Sequence, residues 1–575
     1  LVAQPFAKHF GGVRWLLGVS LLGIGAVGAC SGNEIKVASL EAPLMGRVSA
    51  APVGRVRADE ADTLHAEADG VRSATHGPPA EADAAPTETE KDTAQAETNT
   101  AQAETNTAQA ETDTAQVEAN TVHAGAAALA REGDADADAS GKAAAAFVPR
   151  ELVATAREVI VYDEPLRSSK KLGYLRLGAR VQRASSASGH DGCAQGWYRV
   201  APMGYVCVGN AASLDQEHPL AALARTRPDR EAALPYAYGR SKPAPPPLYT
   251  HFPTPAESSA FEGKSPRLTS GFADLLPRPV PPELANGGPL PMPFGYARPV
   301  SAEPPRALPN SAFALLDVFE HDGRRFGLTT DLELVPLDRL TRVEPSAFHG
   351  VVLDETTTLP LVFVRSRHAV LFSGSPEHGF RPARPLAYRE AVSLGERSVT
   401  LGGVRYLETR SGNWLADLEL VHAAARPRPA AVRGERTWIH VSIADQTLVA
   451  YAGANPVYAT LVSTGRDGLG DPETTHSTPR GEFVIHTKHV SATMNGDEVG
   501  DEFDLRDVPY VEYFTQGFAF HAAYWHDAFG APHSHGCVNL SPIDARWLFH
   551  FTEPAVPQGW HGAFARDGTY VSITP

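Results

Sequence analysis

From Ser31 to Ala146 the chain is Ala, Glu, Thr, Asp and Gly with almost no aromatic residue, and this restricts the fold more than any motif does. So little apolar surface cannot offset the entropy of ordering a backbone. The core of this 575-residue chain must therefore be assembled elsewhere. Length alone suggests about four domains at ~150 residues each. Without this stretch, and in a chain whose 575 residues include 47 prolines and 50 glycines, three folded units at most are expected. Within the stretch Thr93–Asn99 recurs as Thr100–Asn106, as Thr107–Asp113 and, decayed, as Thr114–Asn120. A period of seven invites a coiled coil, but the seam would be Ala and Thr, without the Leu or Ile that knobs-into-holes packing needs. Residues 31–146 read instead as a disordered acidic linker with heptapeptide repeats, a flexible tether.

Much of the formal charge of −16 lies in that tether, and no Lys/Arg stripe suits a phosphate backbone, so no nucleic-acid partner is expected. Ahead of it, Lys8, His9 and Arg14 precede an apolar run from Trp15 to Ala29. The run is shorter than the ~20 residues of a spanning helix and reads as a signal peptide over 1–29. It ends in Val27-Gly28-Ala29-Cys30, followed by Ser31. This resembles the lipobox of bacterial lipoproteins, which implies a diacylated Cys30, an anchor in a bacterial membrane and, from Ser31, the outer membrane facing the periplasm. Two acyl chains hold stably where one is marginal. An ordinary export signal cut at a small residue, with Cys30 incidental, is the alternative.

Order is expected from Phe147 onward. Over 148–212, Val159–Tyr162, Leu172–Leu177 and Ala179–Val181 alternate or run apolar between turn residues, followed by Gly196–Val200 and Gly204–Val208; these are strand signals. The pattern resembles a bacterial SH3-like domain, a small β-barrel. Cys193 and Cys207 bracket one hairpin, and in an oxidising compartment a bridge closing so short a loop contributes about 3 kcal/mol. Two buried thiols are the alternative, and nearby His or Cys are too few for zinc. Residues 213–310 are Pro-rich, hence extended or wrapped on a neighbour. Their aromatics, Tyr236, Tyr238, Tyr249, Phe252 and Tyr296, are candidates to dock along the next unit. Strand-like runs return over 311–425, from Phe313–Leu316 to Asn413–Leu415. They read as a second β module, open to an SH3-like reading with insertions and lacking a catalytic constellation.

After Arg426-Pro-Arg-Pro429, a unit over 436–574 opens with Trp438–Ser442 and Thr447–Tyr451 about a turn at Ala444-Asp445-Gln446, a hairpin signature. Further strands are expected at Val457–Ser463, Gly481–His486, Tyr510–Phe514, Gly517–His521 and Thr569–Ile573. One helix follows: Ser541 caps it, Pro542 takes its first position, Asp544 completes a capping box, and Ile543, Trp547, Leu548 and Phe551 share a face. The fold class is mainly β. Cys537 lies on the loop before the helix. With Cys30 claimed by lipid and Cys193 and Cys207 by a bridge, Cys537 is expected to be the free thiol of an exported protein.

Its surroundings are Ser534-His535-Gly536-Cys537-Val538-Asn539, with His521 14 residues before His535. This resembles the L,D-transpeptidases with a YkuD-type catalytic domain, whose pattern is a His, a gap, then Ser/Thr-His-Gly-Cys, one apolar residue and Asn. Thr478-Pro-Arg-Gly-Glu-Phe483 resembles the family's strand opening, and the likeness spans roughly 436–574. It implies a YkuD-type β-rich domain with Cys537 as nucleophile and His521 as base, the other ring nitrogen of His521 held by a backbone carbonyl such as that of Ala522. A thiol becomes an acyl carrier once a neighbouring base takes its proton. Gly536 permits a tight turn that would aim amides near Cys537 at a developing oxyanion. Ser534, His535 and Asn539 are expected to order and brace the loop.

The resemblance implies peptidoglycan stem peptides as partners. Cys537 would attack the carbonyl of the L-configured centre at position three of a tetrapeptide, release D-alanine and form a thioester. An amine from another stem would resolve it as a 3→3 cross-link. An L,D-carboxypeptidase and a non-catalytic peptidoglycan-binding lipoprotein are the alternatives. His526 and His533 compete with His521 as base. Zinc would accept His521, His526, His533, His535 and Cys537, but the complete Gly-Cys-Val-Asn match argues against a metal, and no cofactor is expected. Tyr510 and Tyr513 are candidates to line the substrate cleft or to pack in the core. Arg480 is a candidate for a stem carboxylate or for a surface ion pair.

Overall fold

The computed structural model describes residues 150–262, 271–296, 303–496, 498 and 502–575. The signal peptide, Cys30 and the repeat-bearing tether lie outside the described residues.

The protein is mainly β. Over the first described residues, Arg150–Ala154 pairs antiparallel with Arg180–Arg183 and with Ala212–Ser213. Glu158–Tyr162 pairs with Lys171–Arg176, and Trp197–Arg199 with Tyr205–Cys207. Cys193 and Cys207 are joined in a disulfide with their Cα atoms 5.8 Å apart, next to the buried ring of Trp197.

The Pro-rich stretch contributes a strand of its own. Ala237–Ser241 lies between Ala312–His321 and Leu340–Arg342, antiparallel to both. Tyr-Ala-Tyr-Gly-Arg is a proline-free run between Pro235 and Pro243 that can donate to a ladder. Tyr236, Tyr238, Tyr249 and Phe252 are buried in one core with Phe319, Phe326 and Leu334. The stretch from 311 to 425 makes two sheets. Its first strands join Ala237–Ser241, while Leu361–Val364 through Leu420–Ala423 form a separate seven-stranded sheet with its own core around Val362, Val364, Leu407 and Leu415.

The C-terminal region is built of two sheets and a helix. In the first sheet Thr437–Ser442 pairs antiparallel with Thr447–Ala452 and parallel with the terminal strand Tyr570–Thr574. The second is organised on a long hairpin, Thr487–Gly496 and Phe503–Thr515, extended by Phe518–Ala522 and Val538–Leu540. The helix Pro542–Phe551 starts as expected at Ser541, whose Oγ accepts from the amide of Asp544 at 3.1 Å.

The Asp544 carboxylate meets the Ser541 hydroxyl at the cap and also accepts from Gly350 N, Tyr458 Oη and Thr460 Oγ1 at 2.6–2.8 Å. The helix buries Ala545, Leu548 and Phe549, and Trp547 and Phe551, rings 4.8 Å apart, are partly buried against the same core. Trp547 also stacks on Tyr458 with ring centroids 4.0 Å apart.

The first strand of the long hairpin was not expected from sequence, because it carries Lys488, His489 and Ser491 inward. All are satisfied. Lys488 Nζ donates to Phe549 O, Thr552 O and Thr552 Oγ1 at 2.6–2.8 Å. His489 Nδ1 meets Tyr174 Oη at 2.9 Å, and Ser491 Oγ donates to Asp507 at 2.8 Å.

This hairpin carries the N-terminal strands on both flanks: Thr487–His489 pairs with Gly562–Phe564, which pairs with Gly173 and Tyr174, and Leu505 bridges to Ala312. Where they meet, the carboxylate of Asp507 is fully buried and accepts both Nη groups of Arg176, Ser491 Oγ and Thr330 Oγ1. Its carbonyl accepts from Tyr238 Oη at 2.6 Å. Burial alone would raise the Asp507 pKa, but the Arg176 guanidinium and the two hydroxyls outweigh it and hold it below the usual range.

Removing the cation leaves a buried charge unpaired, which typically costs about 3–5 kcal/mol. Arg176→Met is expected to lower the denaturation midpoint accordingly, whereas Arg176→Met with Asp507→Asn should recover part of the loss. Equal midpoints for wild type and Arg176→Met would rule out this role.

Candidate active site

Cys537 and His521 are brought together by strand register. Phe518–Ala522 runs parallel to Val538–Leu540 with Phe520 opposite Val538 and His521 opposite Asn539. Side chains alternate along a strand, so Phe518 and Phe520 enter the core shared with the helix, while Ala519 and His521 face the other way. Cys537, two residues before Asn539, projects to that same face and accepts from the Ala519 amide, Sγ to N 3.4 Å. Both Cys537 and His521 are buried.

His521 Nδ1 lies 3.2 Å from the carbonyl of Ala522. A carbonyl only accepts, so the proton sits on Nδ1 and Nε2 keeps its lone pair. The Trp525 ring lies alongside, with centroids 5.6 Å apart. Burial pushes the pKa of His521 down to about 4, the Ala522 carbonyl opposing it. The imidazole is neutral at pH 7, the state a general base needs.

Gly536 has φ 123°, and a Cβ there would come within 2.5 Å of the Phe518 ring; only glycine fits. Its own amide donates to Ser534 Oγ at 3.0 Å, and that hydroxyl donates to Cys537 O. Thr478, which sequence reasoning placed only in a strand opening, closes the turn: its Oγ1 donates to Gly536 O at 2.7 Å and accepts from Gly465 N at 2.9 Å. Asn539 exchanges backbone hydrogen bonds with Ser463 at 2.9 Å. Its side chain meets His526 Nε2 at 3.0 Å. His526 Nδ1 also accepts from Ala528 N at 3.1 Å. His526 therefore braces Asn539, with His533 packed on it at 4.3 Å between ring centroids.

His535 points away from the thiol. Its Nε2 lies 3.1 Å from Arg466, which also contacts His476 Nε2 at 3.3 Å and Glu498 at 3.5 Å. The ligand-capable atoms of His476, Glu498 and His535 lie within 4.8 Å of one another, but the Arg466 guanidinium already contacts all three, so they read as its counter-groups. The five-residue metal set weighed above is not brought together among the described residues.

Three further expectations resolve. Tyr510 is corrected from a cleft candidate to a core residue: it is fully buried against Phe549 and its hydroxyl donates to Ala232 O. Tyr513 lies opposite Ala519 across the hairpin. Arg480 is exposed and donates to Gly470 O at 3.1 Å.

Residues 436–573 match the family model of YkuD, the L,D-transpeptidase catalytic domain. Over 130 residues the chain is 25% identical to YciB of Bacillus subtilis (strain 168), provisionally named an L,D-transpeptidase; the match covers 20% of this chain and 62% of that protein. The catalytic domain of an E. faecium L,D-transpeptidase is similar at 24% identity, covering 25% of this chain and all (100%) of that one, with a TM-score of 0.19. An L,D-transpeptidase from Mycobacterium smegmatis is similar at 19% identity over 40% of this chain and 100% of that one, with a TM-score of 0.20. The C-terminal region thus has the YkuD-type L,D-transpeptidase fold.

His521 and His526 are held neutral by burial, with pKa values pushed down to about 4 and about 3. The unfolded chain takes up these protons from about pH 6.5 downward, so below that pH the unfolded state binds more protons and folding weakens. Each histidine contributes a slope of about 1.4 kcal/mol per pH unit. Stability measured in denaturant is expected to fall from pH 6.5 to 4, and His521→Gln should flatten that slope by about one proton. An unchanged slope would show that His521 does not titrate this way.

Proposed function

We propose that the protein is an L,D-transpeptidase acting on peptidoglycan stem peptides through a thioester on Cys537. The observation that carries the reading is the register of Phe518–Ala522 against Val538–Leu540, which sets a neutral imidazole and the cysteine on one buried face. The match of residues 436–573 to the YkuD catalytic-domain family supports it.

His521 Nε2 takes the proton of Cys537 and the thiolate attacks the carbonyl at position three of the stem. The C–N bond to D-alanine breaks, and the leaving amine takes the proton from His521. An amine of a second stem then attacks the thioester, the C–S bond breaks, and the proton returns through His521 to sulfur. Product and enzyme balance without a cofactor. Resolution by water instead of an amine would make the same site an L,D-carboxypeptidase, and products formed with and without acceptor amine separate the two. The lipobox-like end of the apolar run, Val27–Cys30, supports a lipid-anchored periplasmic protein, and the Gly/Trp/Tyr pattern over 148–212 supports an SH3-like module.

Incubation of the reduced protein with tetrapeptide-bearing muropeptides is expected to release D-alanine and to yield an acyl adduct on Cys537 by mass spectrometry. Cys537→Ala should abolish both. His521→Ala should slow turnover by about 10²–10⁴-fold, as loss of a positioned base does. Absence of both adduct and D-alanine from the reduced wild type would overturn the reading.

A further inference from the structure

The loop joining base to nucleophile, from Ala523 to Gly536, is gripped from outside the C-terminal region. Arg389, from the unit that holds the seven-stranded sheet, donates through Nη1 to Asp527 Oδ1 at 2.8 Å and through Nη2 to Asp527 O. Ser346 Oγ donates to the same carboxylate oxygen at 2.7 Å. The Arg389 guanidinium lies over the rings of Tyr388, Phe348 and Phe529 at 4.7, 4.9 and 5.8 Å, and its side chain is 6% exposed. Its backbone has φ 64°, a left-handed conformation that a non-glycine residue adopts only when its surroundings impose it. Its Nε is buried without a hydrogen-bond partner. A buried, incompletely satisfied cation on a strained backbone is a costly way to tie down a surface loop, and nothing in packing alone requires it.

From Asp527 the path to the reacting groups is short. The next residue, Ala528, donates to His526 Nδ1 at 3.1 Å and accepts from Ser463 Oγ at 3.1 Å. His526 holds the side chain of Asn539, and Asn539 sits opposite His521 in the ladder, two residues beyond Cys537. Phe529 stacks on Phe348 with centroids 5.9 Å apart, fixing the other side of the same loop.

We propose that Arg389 is a positioning residue: by clamping Asp527 it sets the loop that aligns Cys537 with His521, so that the unit bearing the seven-stranded sheet controls the competence of the site. Arg389 touches neither substrate nor reacting atoms in this scheme. The proposal rests on the transpeptidase reading for its turnover readout, and on thiol chemistry alone for a second one.

The test uses the reduced full-length protein and three variants, Arg389→Ala, Arg389→Lys and Asp527→Asn. A misplaced loop is expected to lower kcat about 10–100-fold, the scale of an ångström-level misalignment, with KM changed by less than about threefold. Alkylation of Cys537 by iodoacetamide at pH 7 should slow in parallel. Arg389→Lys keeps one charged donor but not the fork and should fall between wild type and Arg389→Ala. Because Asp527 is 61% exposed on its side chain, Asp527→Asn removes charge from the clamp without burying a new group and keeps the test valid if Arg389→Ala unfolds. Unchanged kcat and alkylation rate in Asp527→Asn and in folded Arg389→Ala would overturn the proposal. A wild type that releases no D-alanine but shows clamp-dependent alkylation would instead count against the transpeptidase reading and leave the clamp standing.

Discussion

The buried carboxylate of Asp507 is the contact on which the described structure converges. It takes both arms of Arg176 from the N-terminal strands, Thr330 from the strands that follow the Pro-rich stretch and Ser491 from its own hairpin, and its carbonyl takes Tyr238. Four segments far apart in sequence thus meet on one residue. A carboxylate without these donors would be too costly to keep charged in such a place. Asp507 itself has φ 57°, which turns its side chain out of the alternation that a regular strand would follow. His561 Nε2, at 3.1 Å from Ser491 Oγ and 3.3 Å from Arg176, fills the remaining side and is held neutral by burial and the adjacent guanidinium.

That arrangement also explains what the sequence could and could not disclose. Patterning found the hairpin Thr437–Ala452, the terminal strand and the helix after Cys537 because each has apolar residues at the right period and a local turn or cap signal. It missed Thr487–Gly496 because a strand bearing Lys488, His489 and Ser491 looks solvated until their partners on other segments are known. The same blindness applied to Asp544. A local capping box was the economical reading, yet Gly350, Tyr458 and Thr460 also claim its carboxylate, and no periodicity reveals contacts of that separation. The motif around Cys537 was legible because its requirements are local: Gly536 needs its φ of 123°, and Ser534 needs only to reach two and three residues along.

At the site itself, burial rather than charge sets the chemistry. A main-chain carbonyl fixes the tautomer of His521, and desolvation lowers its pKa. A catalytic Asp would raise the basicity of the ring and favour a resting ion pair with the thiol. The imidazole, its pKa lowered by burial, rests uncharged. Such a ring tolerates burial at rest, and both it and Cys537 are nearly enclosed.

The precision of that pair depends on a short strand, Val538–Leu540, held by its pairing with Phe518–Ala522 and by the exchange between Asn539 and Ser463. The helix that follows fixes it further, and the helix is secured at both ends. At its start Ser541 accepts from Asp544, and Asp544 is tied into the first sheet through Tyr458 and Thr460. At its finish the Lys488 ammonium spends all three donors on Phe549 O, Thr552 O and Thr552 Oγ1, where the helix dipole is negative. Burial pulls Lys488 down to about 8 while Glu512, 3.9 Å away, works against it. Lys488 belongs to the hairpin strand that pairs with the strand of Asp507. The polar residues that obscured this hairpin in the sequence are therefore those that connect the unit-joining carboxylate to the helix, and through the helix to the strand that presents Cys537.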